Sequence, residues 1–389
     1  MNKNDTIGEL LTRGVNEVID QRHLEEVLNS SNKLRVKLGI DPTGAKLHLG
    51  HAVVLRTLRR FQDLGHTVVL IIGDTTALIG DPSGKNETRP QLSAKDIAKN
   101  FDTYEQQALK ILDKSHLEIR RQSEWFKDFS LADVIREAAM LSAGWIMSHE
   151  TFRNRIQTGQ PLALHELLYP LVQAYDSVAV EADVEIGGLD QKFNLLTGRE
   201  LMRAHKMKPQ DIVLTKYLIG TDGQKMGKSL GNYVALEDEP NDMFGKIMAI
   251  NDTLILPYFE LATTVPMNKV EELGKELTAG TNPRTIKVRL AKEIVTLYHG
   301  KNEAEKAAEE FDKVFSKKEK PSEIEEVKVK SKDITSILVE TKLAASKSAA
   351  KRLLEQNGVK VDDVTADEST IVESGSIIQV GKRNFVKIK

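Results

Sequence analysis

A Rossmann-like, doubly wound parallel α/β catalytic domain, followed by an α-helical domain and a small α+β module, is the architecture predicted by this 389-residue sequence. Three observations carry it. LRVKLGI (34–40), a helical pattern over 48–64 and an apolar run over 68–72 place strand, helix and strand in close succession, a unit whose strands lie parallel with a right-handed crossover. Residues 230–315 are charge-rich with helical spacing, as in IKVRLAKEIVTLYHGKNEAEKAAEEF. SKKEKPSEIEEVKVKSK (316–332) is charged and poor in large apolar residues, which is linker composition. The expected divisions are therefore 1–221, 222–315, a linker over 316–332 and a compact tail over 333–389.

Taken in order, residues 6–29 read as one amphipathic helix, because Ile7, Leu10, Leu11, Val15, Val18 and Ile19 recur at helical spacing. Leu34, Val36, Leu38 and Ile40 alternate with Arg35, Lys37 and Gly39, which predicts a strand ended by the turn Asp41-Pro42-Thr43-Gly44. A helix follows from about His48 to Leu64, with Gly65 as its stop. Val68 to Ile72 is a buried-type strand that opens into the loop IGDTTALIGDPSGKNETRP. In the tail, ITSILVETKLAASKSAAKRLLEQ reads as helix, Gly358 as its terminating turn, and short strands close the chain.

Composition narrows the function classes. Cysteine is absent, which removes disulfides, thiol catalysis and cysteine-ligated zinc or iron–sulfur centres. Net charge is −2, so any nucleic-acid surface must be local. The N-terminus has no signal-type apolar core and no run approaches a membrane span, so a cytoplasmic protein without membrane contact is expected.

Two clusters point to phosphate chemistry. His48-Leu49-Gly50-His51 sits where the first strand meets its helix, and a helix N-terminus offers free N–H groups and partial positive charge to phosphate. The two histidines share a helix face, and Gly50 lets a flat base approach the backbone. Lys225-Met226-Gly227-Lys228-Ser229 follows a polar stretch, and two lysines beside glycine and serine suit a loop that closes on polyphosphate. Each cluster alone also suits a structural role, as capping histidines or a solvated basic loop. Between them, Tyr169, Gln173 and Asp176 share one helix face, and Glu185-Ile-Gly-Gly-Leu-Asp190-Gln191 supplies two glycines and a donor–acceptor pair.

These sets resemble the HIGH and KMSKS signatures of class I aminoacyl-tRNA synthetases. With Ile79-Gly80-Asp81-Pro82-Ser83-Gly84-Lys85, DPTG…HLGH, DPSGKNETRP and DQKFNLL, the chain looks like the bacterial tyrosyl enzymes, in particular their second subtype. The resemblance covers nearly the whole chain, closest over 33–232. It implies ATP as cosubstrate, with Mg²⁺ arriving on the nucleotide and no protein-held metal or zinc, and as partners L-tyrosine, tRNA(Tyr) and a second copy of the chain. It implies that Asp81, Tyr169 and Gln173 hold the amino-acid ammonium, that Asp176 accepts from the phenol hydroxyl, and that Gln191 meets the carboxylate. By the same resemblance Gly188 and Asp190 face the ribose. Thr43, His48, His51, Lys225 and Lys228 serve the triphosphate, and Pro42, Gly50 and Ser229 complete the nucleotide contacts. Lys85 and Arg89 are candidate helpers on the pyrophosphate side.

Three departures stand out. Lys37 replaces a first-strand tyrosine that contacts the phenol in many tyrosyl enzymes, and is expected to be a solvated strand position that leaves Asp176 to act largely alone. Leu189 replaces a small hydroxyl residue, and Gly227 replaces the signature serine. The tail resembles a small RNA-binding fold, with Lys342, Lys347, Lys351 and Arg352 spaced along a helix as phosphate contacts. The segment 125–165, with Trp125, Phe126, Phe129, Trp145, Ile146 and Met147, is the dimer surface the resemblance implies; by composition it equally suits a core. Rival readings are a tryptophanyl enzyme, a nucleotidyl transferase activating a small acid, and a non-catalytic RNA-binding relative.

Overall fold

The computed structural model describes residues 3–42, 46–83, 103–315, 324, 326–381 and 384–389. It divides into two compact units, 1–300 and 301–389. Thr43, Lys85 and Arg89 lie outside the described residues, as does the side chain of Ser229.

In the first unit the opening thirty residues are not one helix. They form α1 (Lys3–Thr12), β1 (Val15–Ile19) and α2 (Gln21–Asn29). Gly14 turns the chain at φ +70°, and Asp20 does so again at φ 69°, so the helical spacing of apolar residues is cut twice. Val15, Val18 and Ile19 instead pair antiparallel with β6 (Asp211–Thr215). The other strands are β2 (Arg35–Ile40), β3 (Thr67–Ile72), β4 (Leu117–Arg121) and β5 (Val184–Gly188), and the sheet order is β1-β6-β5-β2-β3-β4. Every neighbouring pair except β1–β6 is parallel. The chain starts this sheet at β2, winds out to β4, and returns to β5 and β6 on the other side. The order therefore reverses between β2 and β5, and ligands of such sheets bind beyond the carboxyl ends at that crevice.

Helix α3 (Leu49–Asp63) crosses from β2 to β3, and Gly65 follows it at φ +88°. Two further helices, α4 (Tyr169–Ala179) and α5 (Lys192–Ala204), pack on each other and flank β5 in sequence. Beyond β6, α6 (Pro240–Met248), α7 (Ile255–Ala262), α8 (Met267–Thr278) and α9 (Pro283–His299) make the helical part. Proline at the first turn of α6 and α9 fits a position whose N–H has no helical partner. Phe244, Ile247, Tyr258, Phe259, Ile286 and Leu290 form their core.

The alternation in β2 has a second meaning. Val36, Lys37 and Leu38 are all buried, because a central parallel strand is covered on both faces. Lys37 is 0% exposed, not solvated as expected; its Nζ lies 3.0 Å from Glu185 Oε1 and donates to Ser177 Oγ at 2.6 Å.

The second unit contains α10 (Lys301–Phe315), β7 (Glu326–Val327), α11 (Ile334–Glu340), α12 (Lys347–Glu355), β8 (Val359–Val361), β9 (Val364–Thr365), β10 (Ile377–Val380) and β11 (Asn384–Ile388). Its five-stranded sheet runs β7-β11-β10-β8-β9 over a core that includes Ile337, Leu338, Leu354, Val359 and Ile378. Residues 326–327, inside the stretch read as linker, pair parallel with β11. The helical half of the tail is two helices, parted by a turn in which Lys342 takes φ 59°; Asn357 at φ 54°, ahead of Gly358, turns the chain after α12. Consequently Lys347, Lys351 and Arg352 are exposed on α12, while Lys342 is exposed in the preceding turn rather than on the same helix. Lys351 is paired with Glu368 at 3.1 Å. Among the described residues, no helix is long and apolar enough to cross a membrane.

Candidate active site

A cavity of about 310 Å³ opens at the crevice between the carboxyl ends of β2 and β5. It collects His48, Gly50 and His51 from the start of α3, Asp81 from the following loop, Tyr169, Gln173 and Asp176 from α4, Gly188, Asp190 and Gln191 after β5, and Lys225. Residues far apart in sequence meet because parallel strands deliver their loops to one edge. The start of α3 is also tied by backbone to the stretch that follows the lysine segment: Leu49 N donates to Val234 O at 2.9 Å, and Leu236 N to Leu47 O at 3.0 Å.

The histidines are held as neutral donors. His48 caps α3, its Nδ1 accepting from the Gly50 amide at 3.1 Å, while the His48 amide donates to His51 Nδ1 at 3.2 Å. An Nδ1 that accepts leaves the proton on Nε2. Burial, with Lys228 and Lys225 nearby, pushes His48 down to about 4; burial and the His48 neighbour drive His51 well below the ordinary imidazole value. Gly50 has a tighter reason than room for a base: a Cβ there would stand 2.9 Å from the His48 ring.

Deep in the cavity, Asp176 is 1% exposed. Its Oδ2 accepts from Gln122 Nε2 at 2.9 Å, and its Oδ1 has no partner among the described residues. Burial raises its pKa to about 7, against the opposing effects of Lys37 and the Gln122 hydrogen bond. Gln122 is itself fixed, its Oε1 accepting from Thr76 N at 2.9 Å, and the single Thr76 hydroxyl proton lies between Asp41 Oδ1 at 2.6 Å and Gln122 Oε1 at 2.9 Å. Tyr169 OH donates to Asp41 Oδ2 at 2.9 Å, which closes the network. Nearby, the buried Gln173 Oε1 has no partner among the described residues, and Asp81 Oδ2 accepts from Gln191 Nε2 at 2.8 Å.

On the side of the lysine loop, Lys225 Nζ lies 2.9 Å from Asp190 Oδ2 and 4.0 Å from the centre of the Tyr217 ring. Lys228 is not among the residues lining the cavity; its Nζ donates to Tyr104 OH at 3.1 Å, and burial lowers its pKa to about 8. Pro42 is buried beside Asp41. Asp41, Thr76, Gln122, Lys37, Glu185 and Tyr217 are the site residues to which the sequence assigned no role. Asp41 and Glu185 stand at the head of quoted motifs, whereas Thr76, Gln122 and Tyr217 arrive singly from separate elements with no spacing to betray them. Among the described residues, no group of three or more His, Asp or Glu is gathered in a metal-binding arrangement.

The Lys37–Glu185 pair supports this floor, with Gln210 Nε2 also donating to Glu185. Replacing Lys37 by methionine leaves a buried carboxylate uncompensated, an expected loss of about 3–5 kcal/mol. Urea unfolding of the full chain measures it. Replacing Lys37 and Glu185 together by apolar residues should recover most of the loss.

The aromatic residues expected at a dimer surface are mostly tied inward. Trp145 stacks on Phe193 with centroids 5.4 Å apart and donates from Nε1 to Thr197, and Phe126 and Phe129 pack on Tyr175. The outward apolar side chains of this region are Leu131, Ile135, Ile156 and Leu164.

Known proteins resemble this chain along most of its length. The family model for class I tRNA synthetases (W and Y) matches residues 29–316. The tyrosine–tRNA ligase of Thermotoga maritima is 47% identical, covering 98% of this chain and 96% of its own; tyrosine–tRNA ligase 2 of Vibrio parahaemolyticus is 44% identical, covering 97% of each. A truncated mitochondrial tyrosyl-tRNA synthetase from Aspergillus nidulans shares the fold at a TM-score of 0.68 and 21% identity, over 80% of this chain and 94% of that one. By its sequence, its sheet and its relatives, the chain belongs to the class I tRNA synthetases, among the tyrosine–tRNA ligases and within their second bacterial subtype.

Proposed function

We infer that the chain activates L-tyrosine with ATP, releasing pyrophosphate, and passes the tyrosyl group to the terminal adenosine of tRNA(Tyr). The observation that carries the choice of amino acid is the unpartnered Oδ1 of Asp176 in a buried pocket. A buried acceptor without a donor costs free energy until a hydroxyl fills it, and phenylalanine has none to offer. Tyrosyl enzymes as a family reject phenylalanine on this basis. Gln173 Oε1, Tyr169 Oη and Asp81 supply acceptors for the ammonium, and Gln191 lies beside Asp81 to meet the carboxylate. An indole N–H could also donate to this carboxylate, so the tryptophanyl rival is set aside by the polar Tyr169, Gln173 and Asp176 face, by the tail and by the tyrosine–tRNA ligase relatives.

No nucleophile–base pair is required. The tyrosine carboxylate attacks the α-phosphorus, the bond to the β-phosphate oxygen breaks, and charge grows on pyrophosphate. The residues' work is alignment and stabilisation of that charge. His48 and His51, with Nε2–H free of their cap contacts, donate to phosphate oxygens without bringing charge, while Lys225 and Lys228 bring it. Lys225 rests on Asp190, so a ribose that binds Asp190 and Gly188 displaces it toward the phosphates. Mg²⁺ enters with the ATP as part of the substrate. The 2′- or 3′-hydroxyl of the tRNA then attacks the activated carbonyl, and AMP leaves. Thr43, Pro42, Gly50 and Ser229 belong to the nucleotide side of this reading; Lys342, Lys347, Lys351 and Arg352 give the tail its exposed cations for RNA. The outward Leu131, Ile135, Ile156 and Leu164 support a homodimer.

ATP–pyrophosphate exchange measured with each of the twenty amino acids tests the assignment. Exchange should depend on tyrosine alone. Dependence on tryptophan selects the rival enzyme, and no exchange with any amino acid removes the catalytic reading.

A further inference from the structure

A second cavity, of about 460 Å³, shares no lining residue with the first and lies against the C-terminal half of α3, bounded by α1, residues 110–111, residues 263–264 and the end of α9. Its charge is one-sided. Arg13, Arg56, Arg59, Arg60 and Lys110 line it against the two carboxylates Glu9 and Asp63. Both carboxylates are taken, Glu9 by Arg13 at 2.9 Å and Asp63 by Arg59 at 2.8 Å. Arg13 is further occupied by the carbonyls of Phe259, Glu260 and Thr263. Arg56, Arg60 and Lys110 have no carboxylate partner among the described residues.

Their remaining contacts are sparse. Arg56 is 8% exposed, donates from Nη2 to Tyr298 OH at 2.9 Å, and keeps a buried Nε with no acceptor. Arg60 donates from Nη1 to the Arg13 carbonyl at 2.8 Å, and burial beside Arg13 and Arg56 lowers its pKa to about 10. Lys110 reaches the Leu236 carbonyl at 3.5 Å. Like charges crowded in a half-closed cavity repel one another until an anion arrives. A guanidinium with an unused edge matches tetrahedral oxyanions by paired N–H donors, and three unneutralised cations suit a multiply charged group better than a single carboxylate.

We propose that this cavity is a phosphoryl-anion site, in which Arg56, Arg60 and Lys110 hold the anion, distinct from the nucleotide cradle at the opposite end of α3. The phosphoryl group comes either from a free phosphate anion or from the backbone of bound RNA, and the two sources are separable by experiment.

The test uses the full chain with its first cavity filled by a non-hydrolysable tyrosyl-adenylate analogue. Thermal unfolding is followed in potassium phosphate and in potassium chloride at equal ionic strength. Phosphate about fivefold above its Kd should raise Tm by about 1–2 °C. Arg60→Gln and Lys110→Gln should each remove most of that rise, and Arg56→Lys, which keeps the charge but loses the fork, should weaken phosphate binding by at least about tenfold. No rise over chloride in the parent protein, or a rise that survives both glutamine variants, overturns the site. An RNA source shows as a raised KM for tRNA in Arg60→Gln with pyrophosphate exchange unchanged. A free-anion source shows as variant-sensitive phosphate binding that tRNA does not displace.

Discussion

Lys228→Ala slows tyrosyl-adenylate formation by on the order of 10²–10³-fold while leaving tyrosine affinity nearly unchanged. The reason is where the side chain rests. Lys228 Nζ is held at Tyr104 OH and is not itself among the residues that line the cavity, so tyrosine binding should not sense it. Its charge matters only when pyrophosphate begins to leave and the loop moves onto it. An interaction made only in the transition state lowers the rate without changing ground-state affinity. Single-turnover kinetics alongside equilibrium tyrosine binding separates the two quantities. A pH series adds a second reading: burial lowers this lysine to about 8, so charge is lost from the resting loop as pH rises through 8, and the rate constant should fall there in the parent but not in the alanine variant. A near-normal single-turnover rate in Lys228→Ala would refute the role.

Asp176→Asn carries the second large effect, a fall in preference for tyrosine over phenylalanine of on the order of 10–100-fold, the worth of a hydrogen bond to a buried charged group. Its pH signature is specific. Burial raises the Asp176 pKa to about 7, so in the empty protein the carboxylate exists fully only above neutrality. If the ionised form is the one that accepts from the phenol, tyrosine affinity should drop about tenfold per unit as pH falls below 7. Stability of the ligand-free chain runs the other way. A carboxylate raised above its unfolded value contributes stability that is present below about pH 4 and lost as pH rises towards 7. The asparagine variant should abolish both trends. Isothermal titration of tyrosine from pH 6 to 8, with urea unfolding over the same range, reads them together; an unchanged pH dependence in the variant would exclude Asp176 as the titrating group.

The legible parts of the fold are those whose signals are local. Alternation in β2, the capping His48 and the terminal Gly65 of α3, and the apolar run of β3 each act within a few residues, and the strand–helix–strand reading matches them. The first thirty residues misled for the opposite reason: β1 exists through pairing with β6, about two hundred residues later in the chain, and its apolar residues happen to continue a helical spacing. Lys37 shows the same limit in the site. Its neighbours Arg35 and Gly39 suggest a wet face, but the partner that makes burial tolerable, Glu185, lies on another strand. Asp176, Tyr169, Gln173, the two histidines and Lys225, each in a run of recognisable spacing, meet in one cavity, while Lys228 does not line it. Motif reading could not reach Gln122 or Thr76, which orient Asp176 and Asp41 through single side chains. The tail's cations were legible as residues but not as a surface, since the left-handed turn at Lys342 splits the helix that would have aligned them.

Asn232, 3% exposed, bonds through one amide to three points of the loop: Nδ2 to Asp222 Oδ1 at 2.7 Å and to the Lys225 carbonyl at 3.2 Å, and Oδ1 from the Gly227 amide at 2.8 Å. Gly220 packs so closely that a Cβ would lie 2.5 Å from this amide. The lysine segment is therefore gathered at Asp222, Lys225 and Gly227 by one buried amide, beside the backbone bond from Met226 N to Leu218 O at 3.0 Å. A backbone pinned on both sides of Lys225 launches two long, pliable side chains from set points, so their reach is limited by their own length and not by wandering of the main chain.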